Sequence, residues 1–353
     1  MKDLTFLLLV KGRKSFSLRW LDYLSEHKSK FKIYIADGSK QEQNLEHYSF
    51  NLNCDYEYYG EDKDIKTFLK KIVNSLKKIK TKYVMMCSND DFVINNNIND
   101  LLEKLKSNNE SICIKGRSLW FNLSHDEDLN GQISNFSPFQ TPHNLQDDSM
   151  VERIKVFTNN YNGNWHAIIQ KDILFKIFNY AYKNEIFDMF MLENFFNIVL
   201  VLEGKIIASE KPYLFNQDHL NRLSHNKELL KYDIEKIRGV GFKDLVLKYV
   251  NTELSNTNLR NDNLWSSIDN LLFNHFYKKK NILNHIDISK LPLQKKIKHF
   301  IIKVFAGSIF FKIYVKVKFY KNFKNKKNKD IIEIVNKINE FLSKRKKIFK
   351  GYI

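Results

Sequence analysis

The stretch TKYVMMCSNDDFV, residues 81–93, runs from an apolar segment directly into an amide and two adjacent carboxylates. The apolar part is typical of a strand that is covered on both faces. Asn89, Asp90 and Asp91 stand at its end. Neighbouring carboxylates repel each other, and burial without a partner would raise their pKa values or weaken the fold. The stretch therefore predicts that a positive group lies against these two acids.

The segments before this stretch alternate between strand and helix patterns. LTFLLLV (4–10) and KIYIADGS (32–39) have the apolar runs of buried strands, and SFSLRWLDYLSEH (15–27) between them has near-helical apolar spacing. A second helix is predicted from Asp64, a typical N-cap, through lysine-rich residues up to 79. This alternation predicts an α/β fold with a doubly wound, mostly parallel sheet. Ligands collect at the carboxyl ends of such strands, where Asp37, Asp90 and Asp91 lie.

The rest of the chain divides into a periodic part and a basic end. SICIKG (111–116) predicts a further strand, residues 122–164 are weakly periodic, and helices are predicted at 171–183 and 189–204 before a strand at 205–215. Beyond about residue 225 the sequence is rich in Leu, Lys and Asn with helical spacing. We therefore predict an α/β domain at 1–225 and a helical C-terminal region at 226–353, with a basic amphipathic tail from about 295.

Charge is concentrated in that tail. The chain has a formal net charge of +18, and residues 295–353 contribute 18 basic and three acidic side chains, which leaves the first 294 residues nearly balanced at +3. The hydrophobic fraction of 43% excludes a disordered chain. The cysteines, three in number and widely spaced, indicate a reducing compartment. With no signal-peptide pattern and no apolar run long enough to span a bilayer, a cytoplasmic protein is expected.

The order of these motifs resembles the nucleotide-sugar glycosyltransferases of the glycosyltransferase-A fold, family 2-like, over roughly residues 1–220. The matching segments are VKGR (10–13), ADGS (36–39) and NDD (89–91). The resemblance implies that Arg13, Asp37, Asn89 and Asp90 contact the nucleotide and that Asp91 binds Mn²⁺ or Mg²⁺. The family usually has Asp-x-Asp at this point, and Asn89 departs from that pattern by bringing no charge.

The resemblance also implies an acidic catalytic base. The family places it about eleven residues before a glycine that precedes the next strand, and Glu193 stands in that relation to Gly204. A carboxylate there would accept the proton of the acceptor hydroxyl. Asp188 is the rival for this role, although it also suits the N-cap of the same predicted helix.

Further candidates lie on the acceptor and phosphate sides. Trp165 could stack on a sugar and His166 could reach phosphates, while core packing is the alternative for both. In NQDHLNRLSH (216–225), His219 and Arg222 could close over a diphosphate.

The implied function is transfer of a sugar from a nucleotide-sugar donor to a glycan or lipid-linked acceptor, in bacterial-type surface polysaccharide or glycolipid synthesis. Lysines interleaved with aromatic residues in the tail suit an anionic membrane surface, which predicts a peripheral location on the inner face of the plasma membrane. The alternatives are a non-catalytic membrane- or nucleic-acid-binding protein on the same fold and a sugar nucleotidyltransferase. Nucleic acid is the less favoured partner because the first 294 residues carry little net charge.

Overall fold

A computed structural model of the 353-residue chain describes residues 3–45, 51–123, 129, 131, 133–136, 141–184, 186, 188–218, 241–254, 265–266, 268 and 329–350. The strands are β1 Leu4–Val10, β2 Lys32–Asp37, β3 Cys54–Tyr58, β4 Tyr83–Cys87, β5 Phe92–Val93, β6 Ser111–Leu123, β7 Ile133–Phe136, β8 Ile168–Gln170 and β9 Lys205–Gln217. The helices are α1 Lys14–Glu26, α2 Ile65–Lys78, α3 Asn95–Lys106, α4 Met150–Asn159, α5 Lys171–Lys183, α6 Met189–Glu203, α7 Phe242–Glu253 and α8 Lys329–Lys350.

The described strands form one sheet in the order β3-β2-β1-β4-β8-β6-β9-β5, with β7 paired to β6. The long ladders β3-β2-β1-β4 and β6-β9 are parallel, whereas the short strands β5, β7 and β8 pair antiparallel to their neighbours. The predicted α/β fold with a mostly parallel sheet is confirmed. The parallel half brings the ends of β1, β2 and β4 to one edge of the sheet.

Helices cover both faces of the sheet, which is the doubly wound arrangement. Buried residues of α2, α4, α5, α6 and α7 form one apolar cluster, and those of α1, α3 and α8 form a second cluster on the opposite face. Because both faces are covered, β1 and β4 are almost wholly apolar. The polar groups of this region therefore lie in the loops that follow β1 and β4.

The start of α2 follows the sequence prediction. Asp64 is the N-cap, and its Oδ1 accepts a hydrogen bond of 2.7 Å from the Thr67 amide. The Thr67 hydroxyl lies 3.1 Å from the Asp64 amide and accepts from it, which completes a capping box.

The described segments beyond residue 225 pack on the same two clusters. Phe242, Val246 and Tyr249 of α7 belong to the first cluster. In α8, five apolar residues enter the second cluster, and they are Ile331, Val335, Ile338, Phe341 and Leu342. This face of α8 is therefore occupied by the protein itself, while residues 295–328 of the predicted basic tail lie outside the described part of the chain. Within the described residues, no helix combines the length and apolarity that crossing a bilayer requires.

Candidate active site

The predicted positive partner of the acidic pair is Arg13. This residue adopts a left-handed conformation, with φ 56°, where the chain leaves β1 and enters α1. Its Nη1 lies 3.0 Å from Oδ2 of Asp90, whose side chain is 5% exposed against 33% for Arg13. The ion pair neutralises Asp90, and Arg13 remains within reach of a ligand that enters from solvent.

Arg19 also contacts the turn that contains Asp90, a role that was not predicted from the sequence. Its guanidinium is fully buried between the rings of Phe16 and Phe92, with 4.8 Å from Cζ to each ring centroid. Nη2 donates a 2.7 Å hydrogen bond to the carbonyl oxygen of Asp90. Burial lowers the pKa of Arg19 to about 9, and Asp90 opposes that shift. The signal in the sequence was an arginine among the apolar positions of an amphipathic helix.

Asn89 is buried and ties the acidic turn to α1. Its Nδ2 donates to the Ser17 hydroxyl at 3.0 Å and to the Arg13 carbonyl at 3.4 Å. Its buried Oδ1 has no hydrogen-bond partner among the described residues. The amide nitrogen thus has a structural role, and Oδ1 is the atom of Asn89 that can accept from a ligand.

Asp91 faces His166. The Gln217 amide donates to Oδ1 of Asp91 at 3.0 Å, and Nε2 of His166 lies 3.8 Å from Oδ2. Nδ1 of His166 is 2.9 Å from the carbonyl oxygen of Met86, which can only accept, so Nδ1 carries a proton. In the neutral ring Nε2 is then the nitrogen with the free lone pair, and it faces the carboxylate of Asp91.

Asp37 is bonded differently from the expectation. Its Oδ1 accepts from the amide and hydroxyl of Ser39, and its Oδ2 accepts from the Gln43 amide at 3.0 Å and the Tyr56 hydroxyl at 2.7 Å. Four hydrogen bonds fill the acceptor positions of a carboxylate. Asp37 therefore shapes the loop after β2, and the predicted direct contact with a base or ribose does not fit its bonding.

The two candidate bases occupy different environments. Asp188 is the N-cap of α6, where Oδ1 accepts a 2.7 Å hydrogen bond from the Met191 amide, and burial raises its pKa. Glu193 is exposed on the same helix, and its Oε1 would be 3.7 Å from a β-carbon added to Gly163. Of the two carboxylates, Glu193 is the one that an acceptor hydroxyl can reach.

Residues 162–166, which we call the NGNWH loop, lie between the acidic turn at the end of β4 and Glu193 on α6. Gly163 lies beside Glu193, and His166 lies beside Asp91. Three residues span at most about 11 Å even when fully extended. The loop is tightened further by a 3.0 Å hydrogen bond from the Ala167 amide to the Asn164 carbonyl. The basic and acidic groups at the end of β4 are therefore separated from Glu193 by one short turn.

Trp165 is partly buried and packs against the core, the alternative that was left open for it. Its ring makes edge contacts with Phe178 and Phe196, at centroid distances of 5.8 and 5.5 Å. The ring is partly exposed, and its stacking on a sugar stays a prediction. His219 and Arg222, predicted to close over the diphosphate, lie outside the described residues.

Asp91 and His166 are the groups at the end of β4 that could hold Mn²⁺ or Mg²⁺. Carboxylate and imidazole are suitable ligands for Mn²⁺, and sites that bind metal–nucleotide complexes often use one or two protein ligands plus phosphates and water. Asp91 and His166 supply two such groups at 3.8 Å. No group of three or more metal-ligating side chains occurs in the part of the chain that the structure describes. The residues fit a cation that arrives with a phosphate ligand.

The chain was compared with known proteins. No protein-family model and no curated protein sequence matches it. Among solved structures, it is similar to S. aureus TarS 1-349 in complex with UDP-GlcNAc, with a TM-score of 0.46, 14% sequence identity, and coverage of 83% of this chain and 77% of that one. For S. aureus TarS 1-349 alone the TM-score is 0.40 at 13% identity, with 80% and 83% covered. For S. aureus TarS the values are 0.39 and 13%, with 81% of this chain and 54% of that one covered.

Proposed function

We propose that the chain is a glycosyltransferase that moves a sugar from a nucleotide-sugar donor to a hydroxyl acceptor. The observation that carries the proposal is the arrangement at the end of β4. There Asp90 pairs with Arg13, Asp91 faces His166, and the exposed Glu193 lies one short loop away. Transfer of a sugar from a nucleoside diphosphate requires an acid that binds a cation, a basic side chain that contacts the phosphates, and a separate carboxylate that faces solvent.

The donor diphosphate would lie against Arg13 and the turn formed by Asn89, Asp90 and Asp91. Arg13 is one-third exposed, so its guanidinium can contact phosphate oxygens while it remains paired with Asp90. Asp91 and His166 would hold Mn²⁺ or Mg²⁺. When bound, the cation offsets the negative charge that develops on the leaving diphosphate.

Glu193 would act as the base in a single displacement with inversion. The acceptor oxygen forms a bond to the anomeric carbon as the bond from that carbon to the phosphate oxygen breaks. Glu193 takes the hydroxyl proton, and the nucleoside diphosphate leaves with the electron pair. The exposed position of Glu193 supports this role, because an acceptor can approach it from solvent.

The acceptor is proposed to be a glycan or a lipid-linked molecule at an anionic membrane surface. Support comes from the sequence between residues 295 and 328, where lysines alternate with aromatic and aliphatic residues. The apolar face of α8 is buried in the protein, so this contribution is assigned to the residues before α8.

A ligand screen tests the donor site. We expect one of the UDP, GDP, CMP or TDP sugars to raise the melting temperature of the full chain in the presence of Mn²⁺, because binding to the native state stabilises it by mass action. Asp91→Asn keeps the oxygen that accepts from Gln217 but loses the charge. It should lose the Mn²⁺-dependent shift and at least about 100-fold in transfer rate.

Asp100→Asn is the matched control, because Asp100 is an exposed carboxylate paired with Lys211. Unchanged Mn²⁺-dependent activity in Asp91→Asn would remove Asp91 from the site. If no nucleotide sugar shifts the melting temperature of the wild-type chain, the proposed function is wrong.

A further inference from the structure

Lys115, on β6, is a buried cation that neither the motifs nor the proposed reaction requires. The residue is 4% exposed. Its Nζ donates to Oδ1 of Asn162 at 2.5 Å and to the carbonyl oxygen of Gly163. Among the described residues, Lys115 forms no salt bridge with a carboxylate. A charge buried in this way is costly, so the contacts to the NGNWH loop require an explanation.

The surroundings of Nζ are rich in hydrogen-bond donors. Lys115, Asn162 and Asn164 line one cavity of about 10 Å³, which has room for about one water molecule. Nδ2 of Asn162 and Nδ2 of Asn164 are buried and have no hydrogen-bond partner within the described part of the chain. A water in a cavity of this size can accept two hydrogen bonds, so it could pair with two of these three donors.

The opposite side of the loop is held by α6. Oδ1 of Asn197 accepts from the Asn164 amide at 2.6 Å, and Nδ2 of Asn197 donates to the Glu193 carbonyl at 2.8 Å. The NGNWH loop is thus fixed between Lys115 of β6 and Asn197 of α6. Glu193 and His166 lie at its two ends.

We propose that Lys115 is a positioning residue, which fixes the NGNWH loop so that His166 stays against Asp91 and the loop backbone stays against Glu193. The inference rests on the proposed function for its catalytic consequence, but the loop anchoring does not depend on it. Nζ is suited to the task because in its charged form its hydrogen bonds are about twice as strong as neutral ones.

Charged and titratable groups near Lys115 are few. Glu193 and Cys113 act on its charge, and His143 lines the same cavity. Burial lowers the pKa of Lys115 to about 7, and Glu193 opposes that shift. Glu193 in turn contributes to raising the pKa of Tyr161, after burial itself. Lys115 and Glu193 are thus electrostatically coupled across the loop.

Amide hydrogen exchange of the full chain tests the anchoring without reference to activity. Lys115→Met removes the donor but keeps the length of the side chain. We expect the amides of residues 163–167 to exchange about tenfold faster or more in this variant, because both hydrogen bonds from Nζ to the loop are lost. Lys115→Gln retains a neutral donor and should be intermediate. Lys205→Met is the control, since Lys205 is on the neighbouring β9 and pairs at the surface with Glu110 and Asp148.

Transfer kinetics test the catalytic consequence. In Lys115→Met, kcat should fall about tenfold or more and the half-saturating Mn²⁺ concentration should rise, because the loop no longer fixes its contact with Glu193 or the position of His166. Lys115→Gln should recover part of kcat. Unchanged exchange at 163–167 in Lys115→Met would overturn the proposal, as would faster exchange with normal kcat. Faster exchange in a chain for which no sugar donor is found would leave the anchoring supported and the proposed function refuted.

Discussion

Asp37, Asp90 and Asp91 all follow strands, yet each carboxylate has a different set of partners. Asp37 accepts only from its own loop and from Tyr56, Asp90 pairs with Arg13, and Asp91 shares its surroundings with His166 and the Gln217 amide. The sequence places all three at one edge of the sheet. It could not separate their roles, because the partners of Asp90 and Asp91 lie more than 70 residues away in the chain.

At the same scale, the choice between Glu193 and Asp188 gives a direct prediction. Glu193→Gln should lower kcat about 100-fold or more, because general-base catalysis contributes on that order, and the melting temperature should change little since the side chain is exposed. Asp188→Asn retains the oxygen that caps α6 and should remain active. Steady-state kinetics and thermal unfolding of both variants measure this, and the reverse result would assign the base to Asp188.

The buried ammonium of Lys115 should make stability depend on pH. Its pKa is lowered to about 7 in the folded chain from 10.5, so between these values the unfolded chain binds more protons and the free energy of unfolding rises with pH. Lys115→Met should lose this increment. Urea unfolding of both proteins at several pH values from 6 to about 10.5 gives the difference between their free energies of unfolding. The cysteines titrate in both proteins, so their contribution cancels in this difference. A difference that does not change with pH would contradict the prediction.

At the scale of elements, apolar periodicity was sufficient for the long helices and the central strands. The pattern at 171–183 predicted α5, and Asp64 predicted the start of α2. The edge strand β3 was missed because CDYEY has no apolar run and is partly exposed. Helix α4 and strand β7 were missed inside the weakly periodic stretch 122–164, and β6 extends to Leu123. These short or mixed elements depend on long-range pairing, which local pattern does not contain.

The same limit applies to the site. The position of the acidic turn follows from the order of strands and helices, so the sequence could predict it. The contacts that hold the turn and the NGNWH loop come from Arg19, Lys115 and Asn197. In the sequence these are ordinary polar residues within apolar segments, and only the fold shows that they are buried.

A buried ion pair connects α2 to the loop after β3 and to the end of β1. Nζ of Lys71 lies 2.5 Å from Oδ2 of Asp62, with side-chain exposures of 1% and 3%, and it also donates to the Val10 carbonyl at 3.0 Å. Asp62→Asn would leave the ammonium buried without its counter-charge and should destabilise the fold by about 3–5 kcal/mol.

The double variant Asp62→Leu with Lys71→Met should recover most of that loss, because it removes both buried charges. Denaturant unfolding of the single and double variants measures the two values. A single variant as stable as the wild type would show that the pair does not hold this region together.

At the scale of the whole molecule, the described part of the basic end packs against the rest of the chain. Helix α8 is held on α1, with Phe341 against the rings of Tyr23 and Phe92 and Lys344 near Glu26. Removing everything after residue 290 would expose the apolar surface beneath α8, in addition to removing the lysines before it. Loss of liposome binding in such a truncated chain would not identify the membrane-binding residues.

Paired substitutions that keep α8 give a sharper test of membrane binding. Lys316→Gln with Lys318→Gln removes two charges before α8, and Lys337→Gln with Lys344→Gln removes two charges that already pair with Glu333 and Glu340. Each lysine at an anionic surface contributes about 1 kcal/mol, so the first pair should weaken binding about 30-fold and the second pair much less. Co-sedimentation with phosphatidylserine vesicles at low salt measures both, and at high salt the difference should shrink because the charges are screened. Equal effects of the two pairs would mean that net charge alone drives the association, and no effect of either would end the case for a membrane partner in this part of the chain.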